Sequence, residues 1–458
     1  MELTLLGYAL DPRSPLRGNG ELVEDLAGRG TLDRILEGSA AFGGRWALVV
    51  AEEVGLHLLT DATGLRQVFY TAGVGSRWCA SQASLIAAEA GIARDPEASA
   101  FLGSLYVRAY SEFWWPFDTS PFRGVRRLPP NHVLDLERGE VTRYWPVSAP
   151  APRPFERVVD AGAELLRGSL EAAANRAPLA LTLTAGLDTR VLLAAARDLR
   201  SRAVWYTLDP RMLHTSPADL DVAARLSARL GLTHLVIGRG PKVPDYRRLY
   251  AESVDAPHAA WATVGEGLWE AFPPERMAVF ASSSEIARAP EHWHDSPRRV
   301  TPGSLVAFAN MSADESGLAR TAFGRWLEDA GPSAERSGYH PLMLFYWENR
   351  IGSWLATGVA EWDLIHETCA PFSCRHLLET LLASDVADRR GPACRLHHAL
   401  VERMWPEALL EPVNPLSRGQ LARQSAKRGL FRAMRVTRTY RPLMGAYLRR
   451  RSRRMERL

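Results

Sequence analysis

The sequence predicts an α/β protein in two parts: a β-rich domain over residues 1–150 and a parallel-sheet domain over residues 151–458. Three observations carry that expectation. Short apolar runs broken by Gly and Asp fill the first part, a proline-rich link from Pro146 to Phe155 closes it, and helical apolar spacing alternating with brief strands follows.

In the first part, GRWALVVAEE, VGLHLLTD, GLRQVFYTAG, SRWCASQ and NHVLDLERGEVTRYW combine β-branched or aromatic residues with turn signals, so each predicts a strand or hairpin. After the link, ERVVDAGAELLRGSLEAAANRA has the apolar period of a helix, LALTLTAG reads as a strand and turn, and DTRVLLAAARDLR as a second helix. AVWYTLD, ADLDVAARLSARLG and THLVIG continue as strand, helix and strand. Alternation at this pitch implies a parallel sheet covered on both faces. Beyond Ala281 the pattern is mostly helical, with breaks at Pro341, Pro371 and Pro406, and no internal repeat is visible.

Composition narrows the class. The 458 residues are 46% hydrophobic and 24% charged, an ordinary globular balance with room for two or three cores. No run approaches the roughly eighteen uncharged apolar residues of a membrane span, and the N-terminus lacks a basic start before an apolar stretch. A soluble, cytoplasmic protein with no membrane partner is therefore expected. Cys79, Cys369, Cys374 and Cys394 form no CxxC pair and are expected to be core or surface thiols. The formal net charge of +4 conceals an arginine-rich C-terminal tail. A helical surface or frayed terminus is favoured over an anionic partner there, and no nucleic acid is expected.

The residues that carry chemistry lie in LTLTAGLDTRVLLAAA, 181–196. An apolar strand reaching Leu183 runs into Thr184, Ala185, Gly186, Leu187, Asp188 and Thr189 and then into a helix, which exposes backbone N–H groups at a helix N-terminus where phosphates are stabilised. The Thr184 and Thr189 hydroxyls can donate to phosphate oxygens. Asp188 disfavours an anion unless a divalent cation lies between them, so it is a candidate Mg2+ ligand. A carboxylate that merely complements the helix dipole is the competing reading.

This hexapeptide resembles the pyrophosphate loop of the ATP-pyrophosphatase family, Ser-Gly-Gly-x-Asp-Ser, with Thr for each Ser and Ala for the first Gly. WYTLDP, which contains Thr207, and SPADLDVAARLSARLGLTHLVI resemble the asparagine synthetase pattern of an adenine-contacting strand, an Asp-containing Ala-rich helix and a Leu-Gly-x-x-His strand; Asp219, Asp221 and His234 fall in the matching places. FASSSEIARAPEHW, 280–293, resembles that family's second acidic loop. Glu285 takes the place of the acid that holds the same Mg2+ and pyrophosphate, beside Ser282 and Ser283, while a helix-capping carboxylate after three serines is the other reading. The resemblance implies an adenine nucleotide alpha hydrolase-like C-terminal domain using ATP and Mg2+.

In the N-terminal part, AFGGRWALVV, LLTDATGLRQVFYT and WCASQASLIA resemble, in order, the Ntn glutamine-hydrolysing domain of asparagine synthetase, and FRGVRRLPPNHVLDLERGEVTRYW the segment that closes it. That activity uses a cysteine at the mature N-terminus. The sequence opens Met1-Glu2-Leu3-Thr4 with no cysteine before Cys79, so a degenerate domain without glutaminase activity is expected.

Tyr346, Glu348, Arg350 and Trp354, followed by Pro371, Phe372 and Arg375, resemble the helix and Pro-Phe turn that border the acceptor pocket in this superfamily, in the form seen in lasso peptide cyclases; the run Glu285 to Arg288 does so too. Helix core is the other reading for the aromatic residues. Tyr346 and Glu348 are accordingly candidate catalytic residues. Lys427 is the candidate for the lysine that stabilises the adenylate transition state in β-lactam synthetase-like members. The resemblance implies an AMP-forming macrolactam synthetase acting on a leader-free core peptide of a ribosomally made, modified peptide (RiPP), with a leader-cleaving protease and a leader-binding protein as partners. An intermolecular or β-lactam-type amide synthetase and a nucleotide- or peptide-binding scaffold are the alternatives.

Overall fold

The computed structural model describes residues 1–415 except 54, 74–76, 213–214, 241–243, 273–274 and 290–298. The N-terminal part holds β1 (Glu2–Leu10), β2 (Gly43–Glu52), β3 (Gly55–Thr60), β4 (Phe69–Thr71), β5 (Cys79–Ala80), β6 (Val125–Arg127), β7 (His132–Asp135) and β8 (Glu140–Arg143). These form one antiparallel sheet in the order β1-β2-β3-β7-β8 and a smaller one in the order β5-β4-β6. Along β2 the side chains alternate: Ala47 joins Leu58, Val68, Tyr70 and Leu134 between the sheets, whereas Trp46, Leu48 and Val50 face Leu22, Leu26 and Ile35 of the helices Asn19–Ala27 and Leu32–Ser39. The helix Ala83–Ala90 covers the smaller sheet through Ile86. Gly7 and Gly44 sit where β1 and β2 press together, both with positive φ; a Cβ on either would lie 2.3 to 2.4 Å from a carbonyl oxygen of the other strand.

The helix Phe155–Ala174 leads into β9 (Leu179–Thr182), β10 (Ala203–Leu208), β11 (His234–Ile237), β12 (Met277–Val279) and β13 (Thr368–Cys369). All pairings are parallel, in the order β11-β10-β9-β12-β13. Leu179, Leu181 and Trp205 point to the face packed by the helices Phe155–Ala174, Leu187–Ala195 and Arg395–Met404. Ala180 and Tyr206 point to the opposite face, against Tyr246, Tyr250, Trp261 and Leu268. The mixed α/β class expected from the sequence is therefore the class observed. β1, β6, β12 and β13 lay outside the predicted strands; the last two are only three and two residues long, too short for a periodic signal.

The two parts meet along a polar seam. Arg45 donates to Asp363 at 2.7 Å and to Glu367 at 3.1 Å. Arg143 reaches Asp329 at 2.6 Å and Glu348 at 2.5 and 2.7 Å. Asp61, in the DATGLR turn, accepts from the backbone N–H groups of Thr63, Leu65 and Arg66 and from the Ser373 hydroxyl at 3.1 Å. Tyr8, Phe101 and Trp114 share one core with Val158, Trp326 and Trp347. A C-terminal strap closes the fold: the buried Arg190 guanidinium donates to the carbonyls of Ala408 (2.6 Å), Glu411 (3.0 Å) and Pro412 (3.1 Å), and Asn414 N–H donates to Ala185 O at 2.9 Å. Cys79 is exposed and the other three cysteines are buried, all as free thiols. No described helix is long and apolar enough to cross a membrane.

Candidate active site at the switch between β9 and β12

The strand order reverses between β9 and β12, because the chain leaves β9 toward β10 on one side and returns to β12 on the other. At such a point the two outgoing loops diverge and leave a crevice at the carboxyl ends of the strands. The loop after β9 enters the helix Leu187–Ala195, and the loop after β12 enters the short helix Ser284–Ala287.

The first loop is braced from within. The Thr184 and Thr189 hydroxyls bond each other at 2.9 Å, Gly186 N–H donates to Thr184 Oγ1 at 3.0 Å, and Ala185 N–H donates to Asp219 Oδ1 at 3.0 Å. Thr207 hydroxyl donates to Leu183 O at 2.6 Å and lies 2.8 Å from His234 Nε2, supporting the loop from below. Thr184, Thr189 and Thr207, expected to contact nucleotide, thus have their hydroxyls engaged in loop-internal bonds, and Asp219 is likewise spent on Ala185 and on capping its own helix through Ser216. Asp221 points to solvent. Gly186, the N-cap of the helix that follows, supplies no side-chain cap, so the N–H groups of Leu187, Asp188 and Thr189 make up the positive end of that helix at the switch.

Asp188 meets the second loop. Its Oδ1 accepts from Ser284 at 2.5 Å and lies 4.0 Å from His397 Nε2; its Oδ2 lies 3.1 Å from Arg288 Nη2. The same Nη2 is 4.0 Å from Glu285 Oε1. Glu285 keeps some exposure, but its Oε2 is buried, and among the described residues no hydrogen-bond partner reaches it. Burial and then the Asp188 charge raise the Glu285 carboxyl well above the usual range, with Arg288 opposing. Ser283 Oγ, Arg288 Nε and both ring nitrogens of His397 are buried and equally without partners among the described residues. Ser283 has φ 80°, a backbone state that glycine adopts readily, while Ser282 lies half-buried on the same turn. His397 is fully enclosed and pushed down to about 4 by burial, so its imidazole is neutral.

Tyr346 and Arg350 come from a ten-residue π-helix, Tyr346–Leu355, a rare form frequently met at functional sites. Burial and then the Glu285 charge raise the Tyr346 hydroxyl above its ordinary value. Arg350 stacks on Trp354 with its guanidinium carbon 3.8 Å from the ring centre. Glu348 is a correction: both of its oxygens are bound on the seam, to Arg143, to Asn131 at 2.9 Å and to Trp326 at 2.8 Å, so it does not join Asp188 and Glu285. Lys427 lies outside the described residues. His397, brought in from the helix Arg395–Met404, was not foreseen; a histidine beside His398 on an amphipathic helix gives no local signal of which one is enclosed. Among the described residues no group of three or more His, Cys, Asp or Glu stands where it could hold a metal ion, so a hard cation here would find two protein carboxylates, Asp188 and Glu285, the latter with its Oε2 unmet, and would need phosphate oxygens or waters for the rest of its shell.

No protein family matches the chain, and no curated protein matches it. Among solved structures, a glutamine-dependent NAD+ synthetase from Acinetobacter baumannii, in complex with adenosine diphosphate, is similar over 43% of this chain and 43% of its own, with 14% sequence identity and a TM-score of 0.21. The superposition thus spans less than half of that protein's length, and a TM-score so low carries no functional weight.

Proposed function

We propose that the chain is an ATP-dependent amide synthetase that activates a carboxylate as its adenylate and passes the acyl group to an amine. The observation that supports this most is the strand-order switch, where Asp188, in the first turn of a helix whose N-cap residue supplies no side-chain cap, comes up against Glu285 and Arg288 of the opposite loop. Bound there, Mg2+ and ATP would supply charge neutralisation and an electrophilic α-phosphorus. Asp188 and Glu285 would hold the metal, and the N–H groups of Leu187, Asp188 and Thr189 would face phosphate oxygens. The substrate carboxylate attacks the α-phosphorus and pyrophosphate leaves; the amine then attacks the acyl carbon, loses a proton and expels AMP. Tyr346 and Arg350 would border the acceptor substrate, as the resemblance of their segment implies. A peptide α-amine, with a reference pKa of about 7.7–8.0, is partly neutral without a strong base.

The finer reading is a macrolactam synthetase of the lasso cyclase kind, joining the N-terminal amine of a leader-free core peptide to a downstream Asp or Glu. It rests on the resemblance around Glu285 to Arg288 and Tyr346 to Trp354. Closing both ends of one chain makes the second step intramolecular, an advantage of about 7–11 kcal/mol when alignment is good. The experiment is mass spectrometry of such a peptide with ATP and Mg2+: the expected product has lost one water, with AMP and pyrophosphate formed. An N-acetylated peptide should stay uncyclised. Dehydration of the acetylated peptide, or an intermolecular adduct, would replace the cyclase reading with that of a general amide synthetase.

A further inference from the structure

We propose that Arg288 is a resident counter-ion: it stands between Asp188 and Glu285 in the nucleotide-free protein, gives way to the divalent cation, and turns to the pyrophosphate of the bound nucleotide. This rests on the ATP-dependent reading above. One guanidinium nitrogen serves both acids, 3.1 Å from Asp188 Oδ2 and 4.0 Å from Glu285 Oε1. A Mg2+ ion holding those carboxylates draws its oxygen ligands to about 2.0–2.1 Å and keeps waters or phosphate oxygens around it. A guanidinium cannot share that shell. The arginine and the metal are therefore alternative occupants of the space between the acids.

The present arrangement is also incomplete as an ion pair. Arg288 Nε and Glu285 Oε2 are buried, and neither has a hydrogen-bond partner among the described residues. Such groups cost free energy when left unmet. Ser283 Oγ and the two His397 nitrogens, on side chains with 0% exposure, are unmet in the same place, with His397 Nε2 4.0 Å from Asp188. Several unsatisfied donors and acceptors around one bridged acid pair describe a site whose polar groups are completed by another occupant. When a divalent cation takes over the charge of the two carboxylates, the guanidinium needs a new anion. Its planar fork matches a phosphate. Two consequences follow from this exchange: the nucleotide-free protein resists metal, and metal and pyrophosphate bind together.

The test uses the full chain. Arg288→Met removes the cation while keeping most of the side-chain bulk. Nucleotide-free Mn2+ binding, followed by electron paramagnetic resonance, should tighten by about tenfold or more, and Mg2+–pyrophosphate measured by calorimetry should bind about tenfold more weakly than to wild type. Arg288→Lys keeps a charge and should hold Mn2+ affinity near the wild-type value; if Arg288→Met does not fold, Arg288→Gln takes its place. Mn2+ affinity unchanged or lowered in the uncharged variant overturns the counter-ion role, provided Asp188→Asn has abolished Mn2+–ATP binding. Mn2+–ATP binding that is indifferent to Asp188→Asn overturns the ATP-dependent reading itself, and this proposal with it.

Discussion

Arg143 on the seam and Arg288 in the crevice are both guanidiniums between two carboxylates, yet their surroundings differ. Arg143 engages Asp329, Glu348 and the Trp145 carbonyl, and Glu348 in turn is met by Asn131 and Trp326. Around Arg288 one nitrogen does the bridging, while its Nε, the Glu285 Oε2 and the His397 ring are unmet among the described residues. A buried polar network that is fully paired rigidifies the fold, whereas one with gaps holds its members less firmly. The contrast sets Glu348 in a paired network on the seam and leaves Glu285 with a buried oxygen unmet among the described residues, although both are acidic residues on helices beside an arginine.

Substitutions can break or sharpen that contrast. Asp188→Asn should lower ATP–pyrophosphate exchange by about a thousandfold or more with only a small drop in melting temperature, since the amide oxygen can still accept from Ser284 and Glu285 remains beside Arg288; wild-type exchange would move Asp188 to the structural side. Glu348→Ala should do the reverse, destabilising the protein by about 3–5 kcal/mol through loss of the buried acceptor shared by Arg143, Asn131 and Trp326, as read in chemical denaturation. A Glu348 variant of normal stability and no activity would place it back in the site.

A smaller effect concerns pH. His258 Nδ1 lies 2.6 Å from Glu361 Oε1 and its Nε2 lies 2.7 Å from Phe113 O, so both ring nitrogens face acceptors. Burial lowers the imidazole's pKa, but the Glu361 bond and charge and the Phe113 carbonyl outweigh it, and the net shift is upward. A raised folded value gives stability that is complete below the unfolded pKa of about 6.5 and is lost as pH rises through the folded value. Melting temperature should therefore fall more for wild type than for His258→Gln between about pH 6 and about pH 9. Parallel curves would show that this seam contact carries no proton-linked stability. The smallest effect is expected at Ser283: replacing it with Gly should relieve its positive φ and stabilise by roughly 1 kcal/mol, while a loss of stability would mean that its unmet hydroxyl has a partner in solution.

Much of this was legible because it is local. The run from Leu179 to Thr189 encodes strand, turn and helix within eleven consecutive positions, and the strands at Ala203 and His234 keep the same grammar. β12 and β13 are too short to read, and the bridge from Arg288 to Asp188 joins residues a hundred positions apart, which no local pattern reports. Glu348 was misplaced for a geometric reason. Two positions along a helix turn a side chain to the opposite face, so Tyr346 toward the crevice sends Glu348 toward the seam, while Arg350, four positions on, shares the Tyr346 side. Thr184 and Thr189 were recognised as a pair, but composition could not tell a hydroxyl aimed at a ligand from one aimed at its neighbour.

The Arg190 clasp on the C-terminal strap has a consequence for the order of events in folding. The bonds inside the loop after β9 span five residues or fewer, whereas those from Arg190 to Ala408 and Glu411 span 218 and 221. Contacts that distant close late, because the chain entropy of the intervening loop is spent first. A chain emerging from the ribosome can shape the turn at Leu183 early but must bury a lone guanidinium, or keep it in water, until the strap has been synthesised. The helix that presents Asp188 is thus finished from the far end of the described chain, and a chain halted before Ala408 would carry the whole motif in its sequence without the clasp that seats it.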